Sequence, residues 1–183
     1  MSEGLIIRNC SPTLAGMKPG SMFSCSYETI RELQEYMRRI NRTLIPKGIR
    51  ALLLRHDNGR ALIYIFRPKD LSKILEDELA VEILQRRGYR DIRLEPCICQ
   101  LMGRIQESDE FPHEIGLFLG YPPADVKAFI ENKGCNHKCC GCWKVYGDEE
   151  AAQKTFDKYR MCTAIYCSQW ENGQSMEQLA VAG

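Results

Sequence analysis

The chain has 183 residues, enough for one well-buried core and too few for two ample domains. Apolar residues make up 44% and charged residues 27%, the proportions of an ordinary soluble globular protein, and 25 basic against 24 acidic side chains leave a net charge of +1. That balance excludes a global field that would draw nucleic acid or an anionic membrane, so only a local basic patch could do so.

The segment Met1–Cys10 lacks a basic stretch leading into a long apolar run, so no export leader is expected. The longest apolar runs, Ala51–Leu54 and Leu117–Leu119, fall far short of the ~18 residues of a spanning helix, and no membrane association is expected. A cytoplasmic location follows. In that reducing compartment the ten cysteines read as buried small side chains, metal ligands or reactive thiols, not as disulfides.

Leu5–Ile7 is a short apolar stretch, and the prolines and glycines of Cys10–Gly20 predict a shaped loop after it. Ser21–Cys25 alternates weakly, as a strand would. From Tyr27 to Leu44, the spacing of Ile30, Leu33, Met37, Ile40 and Leu44 predicts an amphipathic helix with Ser26 as its N-cap. Two β-type runs, Ile49–Leu54 and Ala61–Phe66, flank Asn58-Gly59, a strong hairpin signal. Leu71 to Leu84 reads as one or two helices stopping at Gly88. The spacing from Ile92 to Ile105 leaves helix and strand open but leans helical.

After the polar stretch Gln106–Glu110, the segment Ile115–Ile130 predicts a helical corner of two short helices around Gly120-Tyr121-Pro122-Pro123. Trp143–Tyr146 is expected to be a strand, and Asp148 to cap a last amphipathic helix. Together these elements predict a single α+β domain over residues 1–183. It would hold a small antiparallel sheet, with the hairpin 49–66 at its centre, packed by several amphipathic helices.

The densest chemistry lies in Cys135-Asn136-His137-Lys138-Cys139-Cys140-Gly141-Cys142. Thiolates and imidazole are ligands for borderline and soft metals, so Cys135, His137, Cys139 and Cys142 form a candidate zinc or iron site. Structural zinc sites draw a second ligand pair from a distant segment, for which Cys162 and Cys167, or Cys97 and Cys99, are the candidates. Unmetallated, the same loop is a redox-sensitive thiol cluster or a set of incidental surface cysteines.

A second candidate site is Cys10 with His113 and Glu114, the nucleophile, base and orienting group of thiol catalysis, with Lys18 placed to lower the Cys10 pKa. The plainer alternative starts a helix at Pro112-His113-Glu114, with Glu114 favouring its N-terminus.

The blocks Cys10–Pro19, Phe111–Pro122 and Trp143–Tyr146 resemble an uncharacterised bacterial family, domain of unknown function 3793, found largely in anaerobic Firmicutes. The resemblance spans nearly the whole chain. It implies a stand-alone bacterial cytosolic protein and brings no activity, substrate or cofactor with it. It also implies that the Cys10 and Pro-His-Glu blocks are the family's signature, whereas the loop before Trp143 varies in cysteine content.

Three functional readings stay open. The first is a thiol- or metal-dependent binding or redox protein. The second is a thiol enzyme, hydrolase or transferase, with Cys10 as nucleophile and His113 as base. The third makes the 111–130 corner a docking surface for a protein partner or DNA, although its second helix carries few base-reading side chains.

Overall fold

The computed structural model describes residues 2–107 and 110–183; Met1 lies outside them, as do Ser108 and Asp109 of the expected polar stretch Gln106–Glu110. Small antiparallel sheets surrounded by helices make the fold α+β. The chain divides into two compact units, residues 1–70 with 159–183, and residues 71–158.

The first unit holds helix α1 (Gly4–Leu14), strand β1 (Gly20–Ser26), helix α2 (Ile30–Leu44), strands β2 (Arg50–Asp57) and β3 (Arg60–Phe66), and a short helix α9 (Met176–Leu179). The antiparallel order β1-β3-β2 puts one strand of the hairpin, β3, at the sheet's centre and the other at its edge. Asn58 and Gly59 both take positive φ, the requirement of a tight two-residue hairpin turn. Ile63 and Ile65 share a core with Ile6, Ile7, Cys10 and Leu14 of α1 and with Leu33, Tyr36, Ile40 and Leu44 of α2. The cap of α2 is Thr29, whose hydroxyl accepts from the Glu32 N–H at 3.1 Å, rather than the expected Ser26. Ile30, expected on the buried face, is exposed.

The loop expected from Cys10 is helical as far as Leu14, with Pro12 inside the last turn of α1. Proline there removes only the N–H that would bond the carbonyl of Arg8, and Arg8 is exposed, where water can replace that bond. The helix then stops in a Schellman motif. The Met17 N–H donates to the Pro12 carbonyl at 2.8 Å and the Gly16 N–H to Thr13 at 3.2 Å, with Gly16 at φ 74°. Arg67, 3% exposed at the end of β3, ties this terminus to the C-terminal segment. Its Nε donates to the Thr13 carbonyl at 2.6 Å, and one Nη to Leu14 and Val181, each at 2.7 Å.

The second unit contains most of α3 (Pro68–Ile74), then α4 (Glu78–Arg86), α5 (Leu94–Glu107), α6 (Ile115–Phe118), α7 (Pro123–Glu131), strands β4 (Cys139–Cys140) and β5 (Lys144–Val145), and the first part of α8 (Glu149–Glu171). The segment left open from Ile92 to Ile105 is thus helical from Leu94. Asp148 caps α8 as expected, its carboxylate accepting from the Ala151 N–H at 3.0 Å. The helical corner forms as α6 and α7. Leu117 and Phe118 are fully buried, Ile115 and Val126 nearly so, and Leu119, Phe129 and Ile130 half-buried. Among the described residues, no helix is long and apolar enough to cross a membrane.

Candidate functional site

Within the second unit, β4 and β5 make a miniature hairpin that pairs Cys139 with Val145 and Cys140 with Lys144. Gly141 closes it, its N–H donating to the Trp143 carbonyl at 3.0 Å. A Cβ on Gly141 would stand 2.3 Å from the ring of Phe156, so only glycine lets the turn approach α8 this closely. Trp143 packs edge-on against Phe156, with ring centres 4.5 Å apart, and stacks on Tyr121 at 5.3 Å.

One carboxylate anchors the hairpin to α7. Asp125, 6% exposed, accepts from the Trp143 indole N–H at 2.8 Å through Oδ2, and from the backbone N–H groups of Tyr146 and Gly147 at 2.9 Å through Oδ1. Sequence reasoning passed over Asp125. An aspartate in the first turn of a helix is a common feature that marks no site, and the partners of Asp125 lie about twenty residues ahead.

The hairpin and the helical corner enclose a pocket of about 360 Å³, predominantly apolar, walled by Phe111, Pro112, Ile115, Tyr121, Val126, Phe129 and Trp143. His113, Lys144, Cys140 and Cys142 also line it. The His113 ring meets Phe129 edge-on at 5.2 Å, and its Nε2 lies 3.6 Å from a carboxylate oxygen of the exposed Glu110. Lys144 sits over the Phe129 ring at 5.6 Å while its Nζ donates to the Gly134 carbonyl at 2.8 Å.

Strand alternation sorts the cysteine loop. Successive residues of β4 point to opposite sides, so Cys140 faces the pocket, joined by Cys142 beyond the turn. Cys139 does not line the pocket. Burial and the neighbouring Glu149 carboxylate push its thiol pKa up. Cys135 is exposed, and His137 lies edge-on to Tyr146 at 6.4 Å. The expected set of Cys135, His137, Cys139 and Cys142 is therefore not gathered here, and among the described residues no three His, Cys, Asp or Glu side chains converge as metal ligands. Of the cysteines weighed as a second ligand pair, Cys162 and Cys167 belong to the first unit, while Cys97 is buried and Cys99 exposed. None of the ten cysteines forms a disulfide.

The expected triad of Cys10, His113 and Glu114 is distributed differently. Cys10 belongs to the first unit, is fully enclosed in its core, and has a thiol pKa raised strongly by burial. Lys18 lowers that pKa, as anticipated, but burial outweighs it. The thiolate that a nucleophile requires is thus disfavoured at Cys10. Glu114 is fully buried in the second unit. It accepts from Arg87 Nε through Oε2 and from the Tyr89 hydroxyl through Oε1, and Arg104 Nε also lies at Oε1, all at 3.2 Å. Its charge is satisfied by two guanidiniums, leaving His113 as the member of the triad at the pocket wall.

A family model described as a protein of unknown function, DUF3793, matches residues 6–180. The chain belongs to the DUF3793 family. No curated protein and no solved structure matches it. The matched span takes in the Pro-His-Glu block, α7 and the hairpin of this DUF3793 chain, the segments that wall the pocket.

Proposed function

We propose that this DUF3793 protein binds a small, largely apolar ligand in the pocket of its second unit and engages that ligand through the thiols of Cys140 and Cys142. The observation that carries the proposal is the shared wall: an aromatic cavity of about 360 Å³ with two cysteines and a histidine on its lining. Small-molecule sites are typically concave and apolar, roughly 300–1,000 Å³, with a few convergent polar groups that fix orientation. Here the apolar walls supply affinity, and the thiols supply either a soft contact or a reversible covalent one. The function is thus a thiol-dependent binding activity placed in the second unit.

The test compares two thiol reagents. Monobromobimane is a neutral, conjugated bicyclic heterocycle, whereas iodoacetamide is small and polar. Labelling of Cys140 and Cys142 by the bimane should saturate with reagent concentration, because the reagent binds before it reacts. Labelling by iodoacetamide should rise linearly. Exposed Cys99, outside the pocket, should show linear kinetics with both. Linear bimane kinetics at all three cysteines would remove the binding step and with it the proposal.

A further inference from the structure

The pocket holds two thiols, and their spacing carries an inference beyond binding. It rests on the pocket being the ligand site. Cys140 and Cys142 are one residue apart, both exposed, and both on the lining of the same cavity. Alternate residues of an extended strand lie roughly 6.6–6.8 Å apart, and a turn brings them closer. Thiol-bearing Cα atoms at such distances meet when the sulfurs are joined directly. A single bridging atom adds a bond on each side and relaxes that requirement. The fold supports the arrangement from behind, because Gly141 is pressed against Phe156 and Trp143 is held by Asp125, fixing the backbone between the two cysteines and directly after them.

The geometry points to a two-thiol chelate: Cys140 and Cys142 jointly take a soft, trivalent, thiophilic centre that carries an aromatic substituent, of the organoarsenical class. The substituent lies against Tyr121, Phe129 and Trp143 while the two sulfurs hold the centre at the mouth. Two ligands suffice for such a centre, so the chelate does not need the three-ligand cluster that the loop fails to assemble.

For the probe phenylarsine oxide the step balances without an oxidant. Two S–H bonds and the arsenic–oxygen bonds break, two As–S bonds form, and one water leaves with both thiol hydrogens. Arsenic stays trivalent throughout. A base that accepts a thiol proton assists the exchange, because the thiolate is the attacking form. Asp125 and His113 both line the pocket, and because the Asp125 carboxylate is taken up by three N–H donors, that role falls to His113.

Intact-mass measurement and competitive titration against dithiothreitol test the chelate. Full-length protein should take up one phenylarsenic group in place of two thiol hydrogens. The uptake should block bimane at Cys140 and Cys142 and leave Cys99 reactive. Cys140→Ser and Cys142→Ser should each weaken uptake by at least about tenfold, while Cys139→Ser and Cys135→Ser stay within about twofold. Phenylarsine oxide should also be preferred over arsenite by at least about tenfold more than dithiothreitol prefers it, reporting the aromatic wall. Circular dichroism of each variant shows that the fold is retained. Uptake that survives both Cys140→Ser and Cys142→Ser, or that is lost instead in Cys139→Ser, overturns the chelate. So does a preference no larger than that of dithiothreitol. Any of these results with saturating bimane kinetics intact would overturn the chelate alone. Loss of saturation would count against the pocket reading itself.

Discussion

The indole N–H of Trp143 donates to the carboxylate of Asp125 at 2.8 Å, across eighteen residues of chain, and both groups are buried. The same carboxylate takes two backbone N–H groups just past β5, so one side chain fixes both the turn and the exit of the hairpin. Replacing Asp125 by alanine leaves three donors without their acceptor, each a charge-assisted bond. We expect Asp125→Ala to cost about 2–4 kcal/mol in urea denaturation followed by tryptophan emission. Asp125→Asn should also destabilise, because an amide offers one accepting oxygen where the carboxylate offers two. Wild-type stability in both variants would show that the hairpin is held by its ring contacts alone.

Phe118 tests the helical corner. It is fully buried beside Tyr89, ring centres 6.3 Å apart, at the end of α6. Phe118→Ala should cost roughly 3–5 kcal/mol, the penalty for emptying an aromatic core site. A corner used as an exposed recognition element would tolerate the change. An unchanged urea midpoint, together with salt-sensitive binding to duplex DNA, would therefore favour a docking role.

Cys10 should behave as a core residue. Iodoacetamide at pH 7 should reach it roughly a hundredfold more slowly than exposed Cys99 or Cys135, because both access and thiolate are suppressed. His113→Ala should leave that rate unchanged. Fast, His113-dependent alkylation of Cys10 would instead restore it as a nucleophile.

The buried thiols also set a pH dependence. Burial, and for Cys97 also the nearby Asp91, raises the thiol pKa from 9.0, to about 11 at Cys97 and further at Cys10. Above pH 9 the unfolded chain releases these protons while the folded chain keeps them. The folded state then binds more protons, so stability falls as pH rises from about 9 towards 11. Buried tyrosines add to the loss only from about 10, their ordinary value. Stability measured between pH 8.5 and 10 should decline in wild type and decline less in Cys10→Ala and in Cys97→Ala. An equal slope in all three proteins would rule these two thiols out as its source.

Arg67 joins segments far apart in the chain by donating to Thr13, Leu14 and Val181. Its buried guanidinium is matched to those carbonyls by its fork of donors, which a lysine lacks. Arg67→Lys should therefore destabilise by about 2–4 kcal/mol, and amide exchange should rise first in the tail at Val181 and Gly183. Unaltered exchange there would mean the tail is held without Arg67.

Local patterns in the sequence determined most of the elements. Asn58-Gly59 between two β-type runs specified the hairpin, helical spacing placed α2 and the pair α6–α7, and Asp148 marked the start of α8, because each signal acts within a few residues. Pro12 misled for the same reason. Its turn signal is real, but at the end of a helix with an exposed Arg8 the missing bond costs little, and the apolar face of α1 keeps it helical on the core. The candidate site was half-legible. His113 and the cysteine loop were singled out, yet Cys139 and Cys142 were paired by their C-x-x-C spacing, whereas β4 turns Cys140, not Cys139, towards the pocket. The strand exists because Lys144 and Val145 return beside it and Asp125 holds the return in place. The strand pairing is short-range, but the Asp125 contacts that hold it reach from 18 to 22 residues along the chain, and no local pattern encodes them. The burial of Cys10 has the same origin, since the core it belongs to is built with β1, α2 and β3, and only tertiary packing makes a cysteine beside a proline turn a core residue.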